Sequence, residues 1–310
     1  MSDILVAGPG DAALARALAG HTGGRLASGS LRHFPDGELY VRIDTPLAGE
    51  VVWIVSTLHP ANERILPAYL MGCTARDLGA KRVFLVAPYL AYLRQDHRFR
   101  DGEGITSHYM SRLLSTVFDG LVTVDPHLHR IDSLAEIYEI PTRVVGSAPR
   151  LAEWIRKHVE MPALFGPDAE SEQWVRRVAE VLDCPWMVLT KQRRGDRDVS
   201  VSSIAAADAA RAGIDPKRHQ PVLLDDIAST GRTLIEAVGS LAQGGYRVPV
   251  CAVVHAVFAA DAYDDLSAAG PARVISCNTI AHSTNTVDVL DLVASAMEEL
   301  ERSLQSPQLV

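Results

Sequence analysis

Nearly unbroken apolar runs of strand length recur along the chain. Residues 3–8 (DILVAG), 51–56 (VVWIVS), 82–87 (RVFLVA) and 121–125 (LVTVD) have the pattern of strands buried on both faces, as in a mainly parallel sheet. Between them, 62–78 and 105–118 carry apolar residues at helical spacing, while 39–43 (LYVRI) alternates as one arm of a hairpin does. A second series follows Pro141, with strands expected at 162–166 (PALFG), 186–191, 222–226 and 248–254 (VPVCAVV). Helices are expected at 169–182, 232–243 and 259–268. Two series of βαβ character predict two α/β domains, 1–143 and 144–290, with a last helix over 291–304 that can pack on either.

Two details sharpen this division. "DLGAKRVFLVAPY" (77–89) echoes "AQGGYRVPVCAVV" (242–254): in both, a helix ends at Gly and a basic residue opens the next strand. Any αβ junction draws on the same Gly cap, so the echo alone leaves duplication open. One connection breaks the rhythm, the polar stretch of residues 191–221. Such length in a compact α/β domain marks a functional lid or a disordered segment.

Composition excludes several classes. At 310 residues and 47% apolar, the chain can bury a substantial core. Its four cysteines are scattered without CxxC, which argues against a zinc ribbon or disulfide framework and suits a reducing cytoplasm. "MSDILVAGPG" reads as a first strand rather than a signal peptide, and no apolar stretch approaches membrane-spanning length. A net charge of −8 excludes a general nucleic-acid coat, so anionic ligands need locally concentrated cations.

"VLLDDIASTGRTLIEAV" (222–238) concentrates the chemistry. Ligands of open α/β sheets sit beyond the carboxyl ends of the strands, where Asp225 and Asp226 are expected. A helix starting near Thr230 aims its free N–H groups and positive dipole end at the same crevice, which suits a phosphate. Gly231 permits close backbone approach, and Thr230 and Thr233 add hydroxyl donors. Paired acids beside a phosphate conflict unless they face sugar hydroxyls or metal-bound water. A strand-end Asp with an ordinary capping Ser or Thr is the plain alternative; the doubled acid followed by T-G-x-T favours a phosphorylated sugar. This segment resembles the 5-phosphoribosyl diphosphate (PRPP) loop of phosphoribosyltransferases and of the synthetases that make their substrate.

Three further stretches decide between those two, "FPDGELYVRI" (34–43), "PYLAYLRQDHRFRDGEGITS" (88–107) and "TVDPHLHR" (123–130), joined by "GPDAESEQWV" (166–175) and "KQRR" (191–194). With the cradle, their order resembles that of the ribose-phosphate pyrophosphokinases over essentially the whole chain. The resemblance implies two domains of the type I phosphoribosyltransferase kind, each with a mainly parallel sheet flanked by helices. It implies transfer of the β,γ-diphosphoryl group of ATP to the C1 hydroxyl of ribose 5-phosphate, giving AMP and PRPP, with Mg²⁺ required. It further implies a homo-oligomer whose active site lies between the domains and is completed by a neighbouring subunit.

Residue roles follow from the same resemblance. Arg94, Gln95, Asp96 and His127 contact ATP; His127 and Asp168 hold metal; Lys191 and Arg193 are the catalytic-loop pair. Phe34, Asp36 and Glu38 form an arm reaching the adjacent subunit's ATP, where Phe34 can stack on the purine and the acids accept from its amine. Asp225, Asp226, Ser229, Thr230, Gly231, Arg232 and Thr233 hold ribose 5-phosphate. Cations on a mobile arm neutralise charge developing at the transferring phosphorus. Hard oxygen ligands suit Mg²⁺ better than zinc.

The sequence also departs from the family pattern. Glu170 and Ser171 replace a glycine pair, Ser229 replaces a frequent Asp, Arg232 replaces a Gly, and "DPHLHR" replaces D-L-H-A. The lost glycines raise a rival expectation, a catalytically silent regulatory subunit. A transferase that consumes PRPP is a third, and leaves the ATP-type motifs unexplained.

Overall fold

The computed structural model describes residues 3–189, 193–194, 198–199 and 206–305. The chain divides into two compact units, Met1–Val145 with Leu290–Val310, and Gly146–Val289. The first contains β1 (Ile4–Ala7), α1 (Ala12–Thr22), β2 (Arg25–Leu26), β3 (Gly29–His33), β4 (Leu39–Ile43), β5 (Val51–Val55) and α2 (Ala61–Asp77). Then come β6 (Arg82–Val86), α3 (Thr106–Ser115), β7 (Gly120–Val124) and β8 (Thr142–Val145). Six strands form a parallel sheet in the order β2-β1-β5-β6-β7-β8, and β3 and β4 pair apart as an antiparallel hairpin. Burial on both faces is why these strands are apolar throughout: Ile4, Leu5, Trp53, Ile54, Phe84 and Leu85 are all at most 1% exposed. Trp53 stacks on Phe84 at 4.5 Å, and its indole N–H donates to Asp3 at 2.9 Å, which satisfies its one polar atom.

The second unit opens with α4 (Ala148–His158) and continues through β9 (Pro162–Gly166), α5 (Glu172–Leu182), β10 (Trp186–Val188), β11 (Arg193–Arg194) and β12 (Asp198–Val199). It is completed by α6 (Ala206–Arg211), β13 (Gln220–Ala228), α7 (Arg232–Gln243), β14 (Val250–Ala256), α8 (Ala262–Ala268), β15 (Arg273–Cys277) and β16 (Asn285–Val287). Its sheet runs β10-β9-β13-β14-β15-β16, again parallel, with β11 and β12 paired apart.

The two units share one topology. In each, the first strand is followed by an outward neighbour, then by an antiparallel pair, then by a strand on the first strand's other side. The turn of direction falls between β1 and β5 in one sheet and between β9 and β13 in the other, where α/β proteins place ligands. The echoed segments 77–89 and 242–254 occupy equivalent places, α2 into β6 and α7 into β14. Even the flanking helix is duplicated: α4 packs on α5, while α9 (Leu290–Gln305) closes the first unit by packing on α1, β7 and β8. Among the described residues no helix is long and apolar enough to cross a membrane.

Boundaries differ from the sequence expectation in informative places. The strand expected at 222–226 extends over Gln220–Ala228, and that expected at 186–191 ends at Val188. Helices α1 and α4 and strands β8, β15 and β16 carried no expectation; Ala-rich α1, with buried Ala15 and Leu18, has little apolar contrast to read.

Candidate active site

β13 sets the geometry of the second unit's crevice. On one side it pairs with β9 only through Leu223; on the other it stays paired with β14 as far as Ala228. Asp225 and Asp226 therefore lie inside a strand rather than at its end, and they project past the carboxyl end of β9. Asp226 is 4% exposed, and its carboxylate accepts from the Ile227 N–H at 2.8 Å; Asp225 accepts from the Asp226 N–H at 3.1 Å. Burial, then the carboxylates of Asp226 and Asp168, push the Asp225 carboxyl well above its ordinary range. Asp226 and Asp168 thus oppose the charge on Asp225, and a divalent cation such as Mg²⁺, which prefers hard oxygen ligands, would relieve that opposition.

The helix beyond spans Arg232–Gln243, as its apolar spacing predicted. Gly231, not Thr230, caps α7, with φ of 70° in the left-handed region, and no side chain bonds the first N–H groups. A side chain at Gly231 would also meet the Ala262 carbonyl at 3.3 Å. Glycine is thus required by the turn and by α8 behind it, as well as by any ligand in front. Ser229 is fixed through its carbonyl, which accepts from the Ala259 N–H at 3.0 Å. Thr230 and Arg232 are exposed and Thr233 is half-buried, so the loop's polar groups face outward.

Asp168 sits at the matching position after β9. Its carboxylate accepts from the Glu170 N–H at 3.1 Å and starts a 3-10 turn, Ala169–Ser171, that leads into α5. Ser171 is fully buried and its hydroxyl donates to the Asp168 carbonyl at 2.6 Å, while Glu170 is exposed. Ser171 thus locks the turn from behind. Sequence reading saw only two missing glycines here, because the hydroxyl's inward direction is a tertiary fact.

In the first unit, Arg94, Gln95 and Asp96 follow β6 in an irregular segment, and Arg94 is exposed. Asp96 accepts from His97 Nδ1 at 2.8 Å and pairs with Arg130 at 3.3 Å. Burial alone would lift its carboxyl, but these two partners outweigh it and hold the group below its ordinary value. Arg130 also lies over Phe99, 5.3 Å from the ring centre, so it ties the 88–107 segment to the 123–130 segment. Motif reading left Arg130 unassigned, although it closes "DPHLHR". His127 lies just past β7 with its ring against His129, centroids 4.0 Å apart.

The hairpin arm is present. Phe34 N–H donates to the Glu38 carbonyl at 2.7 Å and Gly37 N–H to the Phe34 carbonyl at 2.9 Å, with Gly37 at φ 94°. This is a type I turn closed by a left-handed glycine, which is why the sequence reads F-P-D-G-E. Phe34, Asp36 and Glu38 are all exposed, and Asp36 accepts from the Glu38 N–H at 3.2 Å. Glu38 and Leu39 also line a cavity of about 730 Å³ with Gly10, Asn62, Arg64 and Leu70.

Beside Arg64, one of the residues lining that cavity, lies an acid the sequence reading passed over. Asp11, 8% exposed, accepts from the Thr57 N–H at 3.2 Å and stands 3.7 Å from Arg64. Burial outweighs both partners and lifts its pKa to about 6. Lys191 lies outside the described residues; Arg193 belongs to β11, whose backbone pairs with Val199.

Two topologically duplicated parallel α/β units, with paired acids and an uncapped helix start at one switch point, define a protein of the phosphoribosyltransferase kind. Comparison with known proteins agrees. The profile of the N-terminal domain of ribose phosphate pyrophosphokinase matches residues 4–117, and that of the phosphoribosyl transferase domain matches residues 133–292. A ribose-phosphate pyrophosphokinase of Methanopyrus kandleri is 32% identical over 93% of this chain and 96% of its own length. That of Methanothermobacter thermautotrophicus is 32% identical over 86% of this chain and 90% of its own. The crystal structure of a phosphoribosylpyrophosphate synthetase from Mycobacterium smegmatis superimposes with a TM-score of 0.83, at 23% identity over 98% of this chain and 100% of that one, a likeness of fold. The chain belongs to the ribose-phosphate pyrophosphokinase family and is an enzyme of that kind.

Proposed function

We propose that the protein transfers the diphosphoryl group of ATP to the C1 hydroxyl of ribose 5-phosphate, giving PRPP and AMP for nucleotide synthesis in the cytoplasm. The observation that carries this reading is the overhang of Asp225 and Asp226 past β9, beside the uncapped start of α7. The N–H groups there suit the 5′-phosphate, with the hydroxyls of Ser229, Thr230 and Thr233 and the Arg232 cation adding contacts. The two acids accept from the ribose diol. Asp168 would offer a carboxylate oxygen to Mg²⁺, which would supply charge neutralisation when bound.

Arg94, Gln95, Asp96 and His127 are assigned to ATP, and the hairpin residues Phe34, Asp36 and Glu38 to the ATP of a neighbouring subunit in a homo-oligomer. The C1 hydroxyl oxygen attacks the β-phosphorus and forms the new P–O bond. The α–β bridging bond breaks, AMP leaves with the bridging oxygen, and the hydroxyl proton passes to solvent. Catalysis of this kind is positioning plus neutralisation of charge, the work assigned to Lys191 and Arg193.

The test is AMP formation from ATP and ribose 5-phosphate with Mg²⁺. Activity that requires both substrates supports the reading. No AMP at any phosphate concentration points to a regulatory subunit, and base-dependent diphosphate release from PRPP points to a consuming transferase. The turn lock by Ser171 weakens the regulatory alternative, since the glycine-free loop keeps a defined conformation.

A further inference from the structure

The β3–β4 hairpin has two unlike faces. Strand alternation turns Leu31, Leu39 and Val41 inward, where Leu31 and Leu39 line the cavity against Leu66 and Leu70 of α2. The same alternation turns Arg32, Phe34 and Tyr40 outward. Arg32 and Tyr40 are direct cross-strand partners, and Phe34 follows Arg32 by two residues, so the three share one face. There the Arg32 guanidinium lies over both rings, 4.4 Å from the Tyr40 centroid and 4.9 Å from that of Phe34. Phe34 meets Tyr40 edge-on, with centroids 5.9 Å apart and planes at 88°.

We propose that Arg32 and Tyr40 are positioning residues for ATP: they hold the Phe34 ring upright on an exposed arm so that it receives the purine. This rests on the reading of Phe34 as the residue that stacks on the purine. The physical need is clear from exposure. Phe34 is 39% exposed and lies at the edge of the turn, away from any core that would fix its rotamer. An aromatic side chain that must be ordered on binding loses affinity to that ordering, whereas one already held by a cation and a neighbouring ring does not. The guanidinium lies over Phe34 and the Tyr40 ring stands at right angles to it, so the two together fix the orientation of the Phe34 ring. Such contacts are strong enough to bias a rotamer and too weak to hold the fold, so their loss shows in ATP binding rather than in stability.

The experiment is steady-state kinetics on the full-length enzyme with Arg32→Met, Tyr40→Leu, Phe34→Leu and the double variant Arg32→Met/Phe34→Leu. Arg32→Met and Tyr40→Leu are each expected to raise KM for ATP about three- to tenfold, with kcat and KM for ribose 5-phosphate within about twofold of wild type. In the Phe34→Leu background, adding Arg32→Met is expected to change KM for ATP by less than about twofold, because the residue acts through the missing ring. A full Arg32 effect in that background would show direct contact with the nucleotide and overturn the inference. Wild-type KM in Arg32→Met, with KM raised in Phe34→Leu, overturns it while leaving the Phe34 assignment standing. Wild-type KM in Phe34→Leu itself refutes that assignment and the inference with it.

Discussion

Replacing Asp11 by Asn tests how the first unit handles a buried acid. Among the described residues, the Thr57 N–H and Arg64 are the partners of the Asp11 carboxylate, and the cation stands at 3.7 Å, beyond hydrogen-bond reach. Burial therefore prevails and moves the pKa from 3.8 to about 6. A shift of that size corresponds to about 3 kcal/mol. The sign follows from proton counting: between these two values the folded chain binds more protons than the unfolded one, so stability falls as pH rises. The favourable contribution is full below pH 3.8 and is lost as pH passes 6. Asn keeps an oxygen for the Thr57 N–H and cannot ionise. Urea unfolding of both proteins across this window, at fixed ionic strength, should show the variant gaining about 3 kcal/mol on wild type from the acid to the alkaline end. Parallel curves would refute the reasoning. A gap that grows in wild type's favour would mean that Arg64 outweighs burial.

Three more outcomes are expected. Gly231→Ala forces a side chain into the left-handed region and toward the Ala262 carbonyl; it should cost about 1–2 kcal/mol in a thermal melt. The same variant should raise KM for ribose 5-phosphate about tenfold while KM for ATP stays unchanged. Asp225→Asn removes a buried carboxyl that Asp226 and Asp168 oppose, so melts in EDTA should show a gain of about 1 kcal/mol while AMP formation is lost. Lys191→Ala should lower kcat by about two to three orders of magnitude with an unchanged circular dichroism spectrum; a wild-type rate would remove its assigned role.

The sheets were legible because their strands are buried on both faces, and apolar runs such as 162–166 and the helix over 232–243 coincide with the observed elements. The end of β13 was not, since two acids look like a strand terminus until the register shows β14 continuing beside them. In the cradle, residue identity was readable but the mutual pressure of Asp168 and Asp225 was not, because some fifty-seven residues separate acids that only the switch point unites. The Ser171 lock, the Arg130–Asp96 tie and the Arg32–Tyr40 clasp are likewise tertiary. Each residue stood inside or beside a quoted motif without a periodicity to mark its partner.

The return of α9 to the first unit has a consequence for biosynthesis. Val293, Met297 and Leu300 of this helix are at most 1% exposed, and Leu300 closes against Gly120 at the start of β7. The unit made first on the ribosome thus lacks part of its interior until the last stretch of chain emerges, whereas the second unit is contiguous from Gly146 to Val289. Synthesis order and completion order are therefore reversed. A nascent chain stalled before Leu290 should protect its later half from protease while its earlier half stays open to cleavage.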